Sequence, residues 1–86
     1  MNYTKIYYDI IESRKILNRE KTKLEYFEKH HIIPKSLGGT DENKNLVLLT
    51  PKEHFLCHKL LLFITKEKYG IGSSQHHKMC KALVAM

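Results

Sequence analysis

The sequence predicts an α+β domain, and three observations predict it. Apolar residues recur at helical spacing near the N-terminus, with Ile6, Ile10 and Leu17 in line and Tyr3, Tyr7 and Ile11 beside them. Two short runs rich in β-branched and aromatic residues, ending at Ile33 and at Leu49, flank a loop that holds Gly38-Gly39. Thr50-Pro51-Lys52-Glu53 then opens a long apolar stretch with the chemistry of a capped helix. At 86 residues the chain makes one small domain, 1–86. A domain of that size buries a modest core and often leans on a metal, disulfides or a partner.

In order, the first helix is predicted over Tyr3 to Leu17 and closes by residue 18, with Glu12, Arg14 and Lys15 on its other faces. Its tyrosines read as packing residues rather than base-stacking ones. Asn18 to Thr22 is polar and turns the chain. Lys23 to Ile33 reads as a strand, ended by Pro34, which has no N–H for the ladder. Lys35 to Lys44 is a loop, with Gly38-Gly39, Asp41 and Asn43 supplying turn chemistry. Leu46 to Leu49 is a second strand, antiparallel to the first. Thr50 caps the next helix, Pro51 suits its first position and Glu53 completes a capping box. That helix is apolar on most faces from Phe55 to Ile64, which predicts a central buried helix, and Gly70 stops it. The core motif therefore spans 23–69. A last short helix is predicted over 75–85.

Composition narrows the function. Fifteen Lys and Arg oppose nine Asp and Glu, a net charge of +6, which favours a polyanionic partner. The field is carried mostly by lysines, since Arg14 and Arg19 are the only arginines; lysines suit loose phosphate contacts better than base reading. The two cysteines, Cys57 and Cys80, cannot build a disulfide framework and are expected reduced. Met1 to Ile6 lacks the apolar run of a secretory signal, and the run Leu60 to Ile64 is far short of the ~20 residues that span a bilayer. A soluble protein of a cytoplasm-like compartment, with no membrane partner, is expected.

The histidines carry the chemistry. His54 and His58 are four apart on a predicted helix and project from one face, a spacing that suits two imidazoles on one divalent metal. The plain alternative is a helix with two partly buried histidines. His30 and His31 are adjacent at a strand end, where a twist or bulge would let one bind metal and the other face substrate. The alternative is two exposed polar residues beside a turn. Cys57, off the histidine face, reads as a core thiol. His76 and Cys80, with His77 beside them, have metal-pair spacing too, but a basic helix end in which Lys78 and Lys81 contact phosphates is the preferred reading.

Taken together, His30-His31-Ile32-Ile33-Pro34, Gly38-Gly39, Asn45-Leu46 and Glu53-His54 with His58 resemble the HNH endonucleases, whose fold is the ββα-metal (His-Me) finger. The likeness covers Glu28 to about Leu62. More narrowly, the stretches from His30 to Gly39 and from Leu49 to His58 resemble free-standing phage HNH proteins of the homing type. The three-histidine arrangement is similar to that of the colicin DNases. The resemblance implies a ββα core with an added helix at each end. It implies His30, His54 and His58 as metal ligands, His31 as general base and Asn45 as the tether that holds the base. Glu28 matches a position for a carboxylate that steadies a ligand from behind. Lys29 and Lys35, with Lys78 and Lys81, are expected to contact DNA.

The arginine that often accompanies such sites is not evident nearby, and Lys21, Lys23, Lys29 or Arg14 are the candidates to replace it. One divalent ion is implied. Three neutral imidazoles favour Zn²⁺ or Ni²⁺, while the family also uses Mn²⁺ and Mg²⁺. The expected activity is phosphodiester hydrolysis of DNA, double-stranded by expectation, by one metal and a histidine base. The protein is expected as a monomer or a homodimer, a double-strand cut asking for two sites. Relatives of this type usually carry further sequence for DNA specificity. The rival reading is a zinc-stabilised nucleic-acid-binding module that does not cut. His31 separates the two, because a closed structural site needs no free base.

Overall fold

The computed structural model describes residues 2–70, and the predicted helix over 75–85, with His76, His77, Lys78, Cys80 and Lys81, lies outside them. Helix α1 (Tyr3–Lys15) is followed by strand β1 (Glu28–His31), two 3-10 turns (Lys35–Leu37 and Asn43–Asn45), strand β2 (Leu46–Leu49) and helix α2 (Pro51–Tyr69). The strands pair antiparallel, with Glu28 opposite Leu49, Lys29 opposite Leu48, His30 opposite Val47 and His31 opposite Leu46. The expected α+β, ββα arrangement is therefore present. Both helices pack against the ribbon and against each other. Among the described residues, no helix is long and apolar enough to cross a membrane.

Three expectations need correction. First, α1 is shorter than predicted. Asn18 takes a left-handed conformation (φ 49°) and its N–H bonds Lys15 O, which turns the chain. Leu17, expected on the packed face, is 54% exposed as a result. Second, β1 begins at Glu28 rather than Lys23. Its partner is only four residues long, because Thr50 already caps α2, so residues before Glu28 have nothing to pair with. Leu24 and Tyr26 are exposed accordingly, whereas Phe27 is buried beneath the Arg19 guanidinium, 4.8 Å from its ring centroid. Third, α2 is not buried all round. Cys57, Leu60, Leu61 and Thr65 form its buried stripe, while Phe55 and Leu56 are about half exposed. Among the described residues α1 and the ribbon are its main neighbours, and Phe55 and Leu56 lie off that packed side.

The core comprises Tyr7 and Ile11 of α1, Ile32, Val47 and Leu49 of the ribbon, and Cys57, Leu60 and Leu61 of α2. Each of the Val, Leu and Ile side chains contributes roughly 1.5–3 kcal/mol on burial. Tyr3 stacks on Phe63, ring centroids 5.0 Å apart, and extends the contact between helices. Cys57 is the expected core thiol: burial pushes its pKa up to about 11, so it stays protonated at neutral pH.

The start of α2 is pinned by more than its cap. Thr50 Oγ1 accepts from Glu53 N, and Glu53 Oε1 accepts from Thr50 N at 2.9 Å, both halves of the predicted capping box. The same carboxylate receives Arg14 from α1 and Arg19 from the segment after it. Arg19 also donates to Leu48 O at 3.3 Å. One carboxylate thus joins α1, the connecting segment, β2 and α2. Burial alone would raise its pKa, but the bonds from Arg19, Thr50 N–H and Arg14 outweigh that and hold it at about 2. Because the folded value lies below the ordinary 4.5, the stabilisation is complete above that pH and is lost as pH falls toward about 2. Glu53→Gln is expected to cost about 2 kcal/mol at pH 7, read by urea unfolding, with two charge-assisted bonds weakened. It should also flatten the acid limb of a stability-versus-pH curve; an unchanged limb would remove Glu53 from this role.

Candidate metal centre

Strand alternation aims β1 in two directions. Glu28 and His30, two residues apart, share the face that carries Val47 and Leu49, which looks onto α2. The cap sets the first turns of α2 so that His54 and His58, one turn apart, face them. His30, His54 and His58 converge, with one ring nitrogen from each inside a group spanning no more than 4.8 Å. His54 Nε2 and His58 Nε2 lie 3.2 Å apart. Two nitrogens bound tetrahedrally to one zinc ion at 2.0–2.1 Å would be ~3.3 Å apart. Among the described residues, this is the one group of three or more His, Cys, Asp or Glu side chains so arranged.

The electrostatics suit a cation. Burial lowers His30 to about 3, with the neighbouring imidazoles adding to the effect. Burial, then His54, lowers His58 to about 4. Both rings are neutral at pH 7 and have lone pairs to give. Nδ1 of His30 and Nδ1 of His58 are buried without a hydrogen-bond partner; a bound ion would satisfy a bare nitrogen there and an acceptor a protonated one. Glu28 Oε1 meets His54 Nδ1 at 2.9 Å, and Glu28 Oε2 accepts from the Tyr26 hydroxyl at 2.9 Å. Those bonds, His54 first, hold the Glu28 carboxyl below the usual range. An ionised carboxylate only accepts, so His54 carries a proton on Nδ1, and in the neutral ring the Nε2 lone pair turns toward His58. The three imidazoles and the carboxylate behind one of them fit a divalent transition metal.

His31 points the other way, onto the face it shares with Lys29, Leu46 and Leu48. No bulge is needed to separate the adjacent histidines: the regular register does it. His31 Nε2 meets Asp41 Oδ1 at 2.7 Å, and Asp41 Oδ2 accepts from Lys35 Nζ at 2.8 Å. These bonds, Lys35 first, keep the Asp41 carboxyl below its ordinary value. His31 therefore holds a proton on Nε2, and in the neutral ring Nδ1 carries the lone pair.

Asn45 braces the ribbon end behind both histidines. Its Oδ1 accepts from Ile33 N at 2.8 Å, and its Nδ2 donates to Ile33 O at 3.0 Å and Thr40 O at 2.8 Å. Gly39 completes the joint. A Cβ there would lie 1.6 Å from Ile33 O, so no side chain fits. Gly38, at φ 94°, supplies the left-handed turn before it.

Two of the expected cations carry ion pairs. Arg14, a candidate for the missing arginine, is engaged with Glu53. Lys35 is engaged with Asp41. Lys29 lines an open cleft of about 590 Å³ with Arg14, Lys15, Arg19 and Lys21; Glu20, Leu46 and Leu48 also line it. Sequence reasoning missed Asp41 and Tyr7, whose hydroxyl lies 2.7 Å from His30 Nε2. Asp41 has no telling spacing from His31. Tyr7 had one signal, because a buried tyrosine hydroxyl needs a partner.

Comparison with known proteins bears on this geometry. The HNH endonuclease family profile matches residues 15–60. "Probable mobile endonuclease D" of Enterobacteria phage T4 is 49% identical over 72 residues, covering 83% of this chain and 28% of that protein. "Probable mobile endonuclease B" of the same phage is 52% identical over 65 residues, covering 74% and 25%. "Probable mobile endonuclease E", also from that phage, is 51% identical over 61 residues, covering 71% and 41%. The chain thus spans between a quarter and about two fifths of these relatives. No solved structure gives a significant match. Since the family match runs from the end of α1 past His58 and takes in more than half of the 86 residues, this chain belongs to the HNH endonuclease family.

Proposed function

We propose that this chain is a metal-dependent DNA endonuclease or nickase module that hydrolyses phosphodiester bonds with one metal ion and a histidine base. The observation that carries the reading is the division of labour at the ribbon end. Three imidazoles converge on one face, and a fourth, held by a carboxylate, looks outward from the next residue. The phage relatives, named as probable mobile endonucleases, support the same reading.

His30, His54 and His58 would hold the ion, and Glu28 would steady His54. When bound, the ion supplies charge neutralisation at a phosphate oxygen and the leaving 3′ oxygen. Zn²⁺ or Ni²⁺ suits this donor set best, with Mn²⁺ and Mg²⁺ as weaker fits. The remaining roles fall to the chain itself. A phosphate lying across the end of β1 can meet both adjacent histidines. His31 takes a proton from the attacking water at Nδ1, while Asp41 keeps Nε2–H in place and favours the imidazolium that forms. Asn45 holds the strand end so that His31 keeps its direction. Lys35, beside Asp41, adds positive charge near that water. Lys29 and its basic cleft would take the sugar–phosphate backbone of double-stranded DNA. Work on DNA in the cytoplasm fits this reading.

His31→Ala is expected to lower plasmid nicking by about 10²–10⁴-fold with zinc binding retained. His54→Ala and His58→Ala should lose zinc binding and nicking together. Full nicking by the His31→Ala protein would sink the assigned base, whereas zinc and DNA binding without nicking by the wild-type protein would favour a non-catalytic zinc module. Chelation with EDTA should stop nicking, and added divalent ion should restore it. On the DNA side, Lys21→Ala and Lys29→Ala are each expected to reduce the slope of log K against log salt by about 1. A slope unchanged in both variants would take the cleft out of DNA binding.

A further inference from the structure

The geometry points to Tyr7 as a positioning residue that fixes which nitrogen of His30 meets the metal: Nδ1, not Nε2. This rests on the reading of the three histidines as a metal site, and it brings α1 into that site.

The protons around Tyr7 can be counted. Its hydroxyl lies 2.7 Å from Ile32 O and 2.7 Å from His30 Nε2. It has one proton to give, and a carbonyl oxygen can only accept. The phenol proton therefore goes to Ile32 O. The contact with His30 then requires a proton on Nε2, donated to the phenol oxygen. A phenolate is no alternative, because it would leave two oxygens 2.7 Å apart with no proton between them. A doubly protonated ring is no alternative either, since its Nδ1–H would be buried without an acceptor. His30 is left neutral, with its proton on Nε2 and a bare lone pair on Nδ1. That lone pair is the buried nitrogen without a partner.

His54 is set the opposite way by Glu28, with Nδ1 protonated and Nε2 free. The cage is thus a mixed one, and two unlike partners write the difference. Tyr7 can do this because it is itself packed in the core, 1% exposed, with its ring edge-on to His30 at a centroid distance of 6.0 Å. Without the hydroxyl, nothing holds the proton on Nε2. The ring can then flip or exchange tautomers, and the lone pair is no longer preset.

Long-range ¹H–¹⁵N correlation on the metal-free protein reads the tautomer directly. His30 is expected with Nε2 protonated and Nδ1 bare, and one equivalent of Zn²⁺ should move the Nδ1 resonance of His30 and the Nε2 resonance of His54. In Tyr7→Phe, zinc affinity measured by chelator competition is expected to fall 10–100-fold. Ile11→Val, a change at another buried position of α1, should leave it unchanged. A protonated Nδ1 on metal-free His30, zinc on its Nε2, or wild-type affinity in Tyr7→Phe would each overturn the assignment. If Tyr7→Phe does not fold, the wild-type spectra still decide it. Wild-type protein that binds no zinc would overturn the metal site itself, and the tautomer read without metal tells that failure from the other.

Discussion

The amide of Asn45 is the constraint on which the ribbon depends. Two strands of four residues are too short to hold a register alone. Where β1 runs out at His31, the backbone and side chain of Asn45 continue the pairing. Ile32 N donates to Asn45 O at 2.8 Å, and Ile33 meets both ends of the amide. The third bond, to Thr40 O, draws the long loop in beneath the strand end. Every polar atom of the amide is used, so no other side chain of similar size would serve: aspartate lacks the donors and leucine lacks both. Gly39 is the counterpart of that fit, since the joint closes only where no Cβ intervenes.

A second constraint acts at the opposite end of the site. Helix rotation decides whether residues four apart face a strand or solvent, and the rotation of α2 is set at its first turn. There the Glu53 carboxylate ties the cap to Arg14 and Arg19. His54 is the next residue. The two arginines are therefore structural in this chain, and the positive charge left for a phosphate is lysine charge. Arginine is not missing from the fold; both copies are turned to holding α2.

Features written in local chemistry are legible in the amino-acid sequence. The capping box, Pro51, the strand Leu46–Leu49 and the stop at Gly70 all follow from neighbours within a few residues, and all are present. The same holds for the facing of His54 and His58. What is not legible depends on pairing across the chain. The start of β1 is set by where β2 ends, and the end of α1 by a left-handed Asn18. Asp41 reaches His31 across ten residues, and Tyr7 reaches His30 across twenty-three. An amphipathic pattern reads Tyr7 as a packing residue, which it is. The pattern has no way to report that its hydroxyl lands on an imidazole.

The regular alternation of β1 has a consequence for how such a domain can vary. His30 and His31 differ in direction because they are neighbours on a strand, not because of any device built around them. Inserting or deleting a single residue between Glu28 and His31 would turn His31 inward or carry Lys29 into the core, exchanging the two imidazoles. The order of letters in His30-His31 is thus a spatial instruction. Length changes in homologues should collect in the segment before Glu28, where the chain has no strand to pair with, and be purged from the strand itself.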